Sequence, residues 1–280
     1  MSTSESRSFE ITIEIEATPD EVWRALTDAE ELVRWFALDA RVKPGIGGSV
    51  WVSWGPEWEG DSRIEIWEPG ARLKTVQEQA GPFGLDSGML QPGQPVMLAL
   101  DYQLEGRSGR TWLRLVHSGF GMGAGWDDEF DGISRGWPFE MRSLRHYLTH
   151  HRGQERRVAW AQTSVAAKGD DVWARLVGPG GLVVDGLDRD LKEGDRYSIA
   201  LSSGDRLSGT MLRNSSLDFA CTVDGMNDGL FRLGVDRHKG QSMVQVWLSA
   251  WNVDRTIVDR FRERSASRLE ALFDSSVVRV

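Results

Sequence analysis

A single cysteine, Cys221, stands in a chain of 280 residues. No disulfide framework can brace such a chain, and a reducing compartment is expected. No run of Lys and Arg offsets a formal charge of −9. A protein so charged repels polyanions, which excludes nucleic acid as a partner. Nowhere do about eighteen uncharged apolar residues follow one another, so insertion into a membrane is not expected. The opening residues, MSTSESRS, lack the apolar centre of a secretion signal, and a cytoplasmic protein is the expectation. Also missing are a Gly-x-Ser-x-Gly elbow, a Cys–His arrangement and a dinucleotide fingerprint. Nucleophilic catalysis has no support on these grounds, and no cofactor is expected.

What the chain does have is apolar residues at 40% of the total and thirteen tryptophans against three tyrosines. Each indole brings a large apolar area and one N–H that needs an acceptor when buried. So many of them point to a lined cavity or a broad contact surface. A repeat runs through the chain as well. TPDEVWRALTD at 18–28 returns as KGDDVWARLVG at 168–178, and the match propagates. GSVWVSW (48–54) aligns with GDRYSIAL (194–201), and TWLRLVHSGFG (111–121) with SMVQVWLSAWN (242–252). Two tandem, diverged copies of one domain follow, at 1–152 and 153–280, joined near HHRGQERR.

Periodicity orders each copy. FEITIEIEA alternates as a strand, Pro19 and Asp20 open a short helix, and AEELVRWFA reads as a second. Strands are expected near 49–54, 62–68, 71–79, 96–104 and 110–118, followed by a long helix. The class is therefore α+β, with a helix left to cover an antiparallel sheet. On 111–117, Leu113, Leu115 and His117 share one face, and Trp112, Arg114 and Val116 the other. Trp126, Phe130, Ile133, Trp137, Met141, Leu144 and Leu148 recur at three and four, the stripe of a helix buried on one side.

The opening ITIEIEATPDEVWRALTDAEELVRWF, the strand end LRLVHSGFG and the helix GWPFEMRSLRHYL together resemble the START/SRPBCC helix-grip superfamily. Within it, the chain is similar to the bacterial branch of activators of heat-shock protein 90 ATPase. The resemblance implies a curved antiparallel sheet gripping its C-terminal helix around an apolar cavity, twice over, the second copy diverged. It also implies several functions, from lipid carriage to aromatase/cyclase chemistry and chaperone regulation, among which a shared fold does not choose.

The stretch GFGMGAGWDDEFDGISRGW at 119–137 carries six glycines. It lacks the Gly-Lys-Ser/Thr ending of a phosphate loop. It also lacks a calcium loop's last ligand: Asp127, Glu129, Asp131 and Gly132 fit the opening positions, but Pro138 stands where a bidentate Glu is required. It reads instead as a flexible lead-in to the closing helix at the rim of a cavity, or as a long surface loop. The candidate ligand-binding residues are Trp35, Phe36, Trp54, Leu113, Leu115, His117, Phe120, Trp126, Phe130, Trp137 and Met141.

His117, the one titratable group among them, is the candidate for proton transfer, set against the plainer role of a histidine bonded at a strand end. The second copy has Leu248 there. His146 and His150 share a helical face beside His151, but without a third ligand they read as an exposed helix end, and no metal is expected. Trp51, Trp67 and Trp112 fall on the outer sheet face, as do Met243 and Trp247 in the second copy. Faces of this kind are expected to pack the copies on each other or on another chain. The stretch 80–95, with Phe83, Leu85, Met89 and Leu90, reads as a lid or a docking loop. The functional expectation is binding of a small apolar or aromatic molecule for transport, sensing or sequestration. Its alternatives are a protein-interaction role of the chaperone-regulator kind, with a protein partner or a second copy of the chain, and an aromatase/cyclase-type enzyme using His117.

Overall fold

Alternating apolar and polar residues draw Arg7–Ile15 into a strand, β1. Thr18 then caps α1 (Pro19–Thr27) through a reciprocal capping box with Glu21, and Pro19 supplies the first-turn residue that needs no N–H partner. Asp28 caps α2 (Ala29–Trp35) more simply, its carboxylate accepting from the Glu30 and Glu31 N–H groups. The computed structural model describes residues 6–55, 59–79, 96–188, 190–238 and 240–279. The expected lid at 80–95 lies outside them.

The chain divides into two compact units, residues 1–154 and 155–280. In the first, β2 (Asp39–Lys43), β3 (Ser49–Ser53), β4 (Glu59–Glu68), β5 (Arg72–Gln79), β6 (Val96–Arg107) and β7 (Arg110–Phe120) follow the two helices. Then come α3 (Ala124–His146) and one wide π turn, Tyr147–His151. The strands form one antiparallel sheet in the order β1-β7-β6-β5-β4-β3-β2. The second unit runs β8 (Arg156–Val165), α4 (Gly169–Val177), β9 (Arg196–Ala200), β10 (Arg206–Asn214), β11 (Asp218–Val223), β12 (Gly229–His238), β13 (Gln241–Trp251), α5 (Arg255–Phe273) and β14 (Val278–Arg279). Its order, β14-β8-β13-β12-β11-β10-β9, repeats the first with β8 for β1, β13 for β7 and α5 for α3. Two helix-grip copies are thus present. The second has no described counterpart of α2 or β2 and gains β14 at the far edge.

In the first unit the inner face is Ile15, Ile64, Leu73, Leu104, Leu113 and Leu115, all buried. A polar knot ties α2 to the end of α3. Tyr147 donates to Glu31 Oε2 at 2.7 Å and accepts from the Gly153 N–H at 3.0 Å, while Arg34 reaches Glu31 at 2.6 Å. Ser143 donates to the Trp35 carbonyl at 2.9 Å, and Trp35 donates to that of Ala25 at 2.9 Å. A buried indole and a buried carboxylate are both satisfied in this way.

Three features depart from the sequence reading. Strand β2 was not foreseen: it is a five-residue edge strand with mostly polar residues, too short to alternate visibly. Trp67 is not on the outer face. The register of β4 on β5 slips between Ile64 and Ile66, so Ile64 opposes Thr75 while Trp67 opposes Leu73. The slip returns Trp67 to the side of the buried Leu73, where its ring meets Trp23 edge-on at 5.0 Å. Trp51 and Trp112 do face outward, each under a guanidinium: Arg41 at 4.4 Å and Arg107 at 5.7 Å. Around them run cross-strand ion pairs, among them Arg114–Glu10 at 2.6 Å, Arg72–Asp101 at 2.7 Å and Lys74–Glu65 at 2.9 Å. This face is a charged lattice suited to water rather than an apolar patch.

The third departure concerns the glycines after β7. Gly119, at φ +98°, is an inserted bulge residue, and a Cβ there would meet the Met97 carbonyl oxygen at 2.0 Å. At Gly121 a Cβ would meet the Trp126 ring nitrogen at 2.5 Å. Both are glycine because something packs against them, not because the chain must swing. Gly119→Ala is therefore expected to lower stability by at least about 2 kcal/mol. Gly132→Ala, in α3 with nothing within 4 Å, is expected to raise it by up to about 1 kcal/mol. Urea unfolding, with hydrogen exchange of peptides from β6 and β7 assigning the transition, checks both signs.

Candidate functional site

Strand β7 presents Leu113 and Leu115 fully buried and His117 at 8% exposure. Simple alternation would turn the next aromatic, Phe120, outward. The bulge at Gly119 turns it in, fully buried, with its ring 4.6 Å from that of His117. From the other side α3 lowers Trp126, Phe130, Trp137 and Met141, of which Met141 is fully buried. The end of α2 supplies Trp35 and Phe36, and Trp54 follows β3.

These side chains form a connected aromatic series. Trp54 meets Phe36 edge-on at 4.8 Å; Phe36 stacks on Trp35 at 4.9 Å and on Trp137 at 5.7 Å. Trp137 lies 6.1 Å from His117 and 6.3 Å from Tyr102. Beyond His117, Phe120 meets Phe130 at 5.3 Å and Trp126 at 6.4 Å, over Leu98. Trp54 and Phe36 at one end and Phe130 at the other are half-buried, whereas Leu113, Leu115 and Met141 beneath them are fully buried. Aromatic contacts of these geometries add about 0.5–1.5 kcal/mol each beyond burial.

His117 joins the two halves. Trp137 donates its ring N–H to His117 Nδ1 at 3.0 Å, both groups buried. The partner is thus a side chain of α3, not the backbone group that a strand-end histidine ordinarily finds. Burial alone pushes the imidazole down to about 4, so it is neutral near pH 7. An accepting Nδ1 leaves the proton on Nε2. His117 is therefore a hydrogen-bond donor toward anything beside it, and the lone pair that a general base would use is already engaged.

Two contributors were missed by sequence reasoning. Tyr102 lies on the inner face of β6 between Leu100 and Leu104, and the alternation that located Leu113 and Leu115 would have found it. Burial, and next the charge of Glu140, hold its hydroxyl well above the ordinary tyrosine range. Arg7 gave no signal, since it precedes the alternating run. It donates to the Gly121 carbonyl at 3.0 and 3.2 Å, pairs with Asp127 at 2.6 Å and lies 4.8 Å over the Phe130 ring, which fastens the start of α3 to β1. His146 and His150 do face each other, ring centres 4.8 Å apart, with His151 at 5.1 Å from His146. His151 is buried and its Nδ1 engages Gln154 at 3.3 Å. By themselves the first two offer a metal ion only two ligands.

The low value of His117 ties stability to pH. The folded state keeps the imidazole neutral while the unfolded chain protonates near its ordinary 6.5, so this contribution is full above about pH 6.5 and is lost as pH falls toward 4. It amounts to on the order of 3 kcal/mol across that window. His117→Asn, which keeps an acceptor for Trp137 but does not titrate, is expected to flatten this part of the acid dependence. Denaturant midpoints of the two proteins at pH 7 and pH 4.5, followed by hydrogen exchange at residues 110–120, give the comparison.

The sequence model of the family described as Activator of Hsp90 ATPase homolog 1-like protein matches residues 16–149, a span that contains the whole aromatic series. No curated protein matches the chain. Among solved structures it is similar to protein MLL2253 from Mesorhizobium loti, at 22% identity over 52% of this chain and 98% of that one, with a TM-score of 0.42. It is similar as well to DynU16 from the dynemicin biosynthetic locus, at 15% identity over 95% of this chain and 96% of that one, with a TM-score of 0.42. A third likeness is to the di-domain ARO/CYC BexL from the BE-7585A biosynthetic pathway, at 17% identity over 95% and 94% of the two chains, with a TM-score of 0.43.

Proposed function

Starting from the match of residues 16–149 to the family described as Activator of Hsp90 ATPase homolog 1-like protein, we propose that this protein binds a small, flat, apolar or aromatic molecule in its first unit. The single observation behind the reading is the aromatic series from half-exposed Trp54 through Phe36 and Trp137 to His117. A ligand site of this kind is a mostly apolar wall with a few placed polar groups. Rings in mutual contact offer faces and edges to another ring without loss of side-chain order, which keeps the entropy cost of binding low. Carriage, sensing or sequestration would follow from such binding alone. Proton transfer by His117 is the weaker reading, because Trp137 engages the nitrogen that would take the proton.

The second unit serves this function as a partner domain rather than as a second copy of the site. The position of His117 is taken by Leu248, fully buried among Phe231, Val246 and Phe261.

Native mass spectrometry of the protein purified from its own host is expected to show a co-purifying small molecule on the intact chain. Phe36→Ala and Trp137→Ala should release it, while Leu248→Ala, though destabilising by about 2–5 kcal/mol, should not. A chain of bare mass, together with tryptophan fluorescence indifferent to a panel of flat aromatic compounds, would refute the proposal.

A further inference from the structure

Two polar groups in the aromatic interior have no hydrogen-bond partner among the described residues: Nε2 of His117, whose Nδ1 is taken by Trp137, and the hydroxyl of Tyr102. His117 and Tyr102 are 8% and 6% exposed. Neither atom is among the sealed, unpartnered polar atoms of the described interior, so each stays open to water or a ligand, which is how donors at this depth are met. Their positions are correlated. His117 opposes Leu100 and Tyr102 opposes Leu115, which makes the two side chains diagonal neighbours on the inner face of adjacent strands. Such neighbours stand about 7 Å apart at the backbone, within reach of one shared atom for long side chains. Both rings lie beside the same indole, Trp137, at 6.1 and 6.3 Å.

Resting on the binding role proposed above, we infer that the ligand carries a carbonyl or phenolic oxygen that accepts from His117 Nε2–H and the Tyr102 hydroxyl, with Trp137 as the positioning residue that holds His117 in its donor form. The tautomer follows from the bond itself: a nitrogen that accepts from an indole N–H cannot carry a proton of its own. Neither donor is charged, because burial keeps the imidazole unprotonated and the phenol un-ionised. A neutral oxygen acceptor on a conjugated ring system matches the pair, whereas a cation or a pure hydrocarbon leaves both donors unmet. Discrimination of this sort is asymmetric. A site built around polar groups rejects the analogue that lacks the partner atom more firmly than an apolar wall rejects an added methylene.

The test has two arms. In protein labelled with ¹⁵N-histidine at pH 7.5, the His117 imidazole is expected to show a protonated Nε2 and an unprotonated Nδ1, and Trp137→Phe should convert it to a mixture of tautomers. A protonated Nδ1 in the unsubstituted protein would overturn the inference. In calorimetry, 1-indanone is expected to bind the unsubstituted protein about five- to tenfold more tightly than indane, its analogue without the oxygen. Tyr102→Phe, which removes only a hydroxyl, should shrink that preference at least twofold while indane affinity stays within about twofold, and His117→Phe should abolish what is left. Equal affinities for the two probes, or a preference untouched by Tyr102→Phe, would mean that water alone meets the donors and would defeat this inference while leaving the binding role standing. Failure of both probes to bind would count against the binding role, and this inference would fall with it.

Discussion

An indole N–H and an imidazole lone pair, brought together between a sheet and a helix, are the constraint on which the first unit's interior depends. Neither can be left unmet in an apolar surround without a cost of about 1–3 kcal/mol. The bond from Trp137 to His117 at 3.0 Å consequently fixes two things at once. It sets the rotation of α3 against β7, since only one face of the helix can present Trp137. It also sets which edge of the imidazole carries hydrogen. A contact that would look like ordinary packing thus decides the chemistry the site can offer.

How much of this was legible in the sequence follows from where the backbone is regular. Leu113, Leu115 and His117 lie on an unbroken stretch of β7, and alternation assigns their face correctly. The helical stripe from Trp126 to Leu148 is likewise readable, because α3 runs through Pro138 without losing its phase. Alternation fails wherever a residue is inserted. Trp67 is displaced to the inner face by the slip beside Ile64, and Phe120 reaches the interior only because Gly119 is a bulge. A glycine that creates a bulge and a glycine that frees a hinge look alike in a sequence. They are told apart by what a Cβ would strike, which is a property of the neighbouring strand.

Residues that act across the fold were illegible for a related reason. Arg7 and Gly121 are 114 positions apart, Tyr147 and Glu31 are 116 apart, and no local pattern records such meetings. The indole and the imidazole are only 20 positions apart, yet one lies on a strand and the other on a helix, so their contact too required the fold.

The two copies differ at that contact. Both keep the strand order, the helix that opens each unit and the long helix that closes it, so the architecture does not need a histidine at this place. The second copy replaces His117 by Leu248 and fills the same layer with Phe219, Phe231, Val246 and Phe261, side chains with nothing to donate. Stability alone is therefore well served by hydrocarbon at this position. Retaining an imidazole and a tyrosine hydroxyl inside an otherwise aromatic wall works against burial energy, a cost that the ligand proposed above would offset. The divergence between the copies thus separates the part of the sequence that builds a helix-grip domain from the few side chains on which the proposed binding role rests.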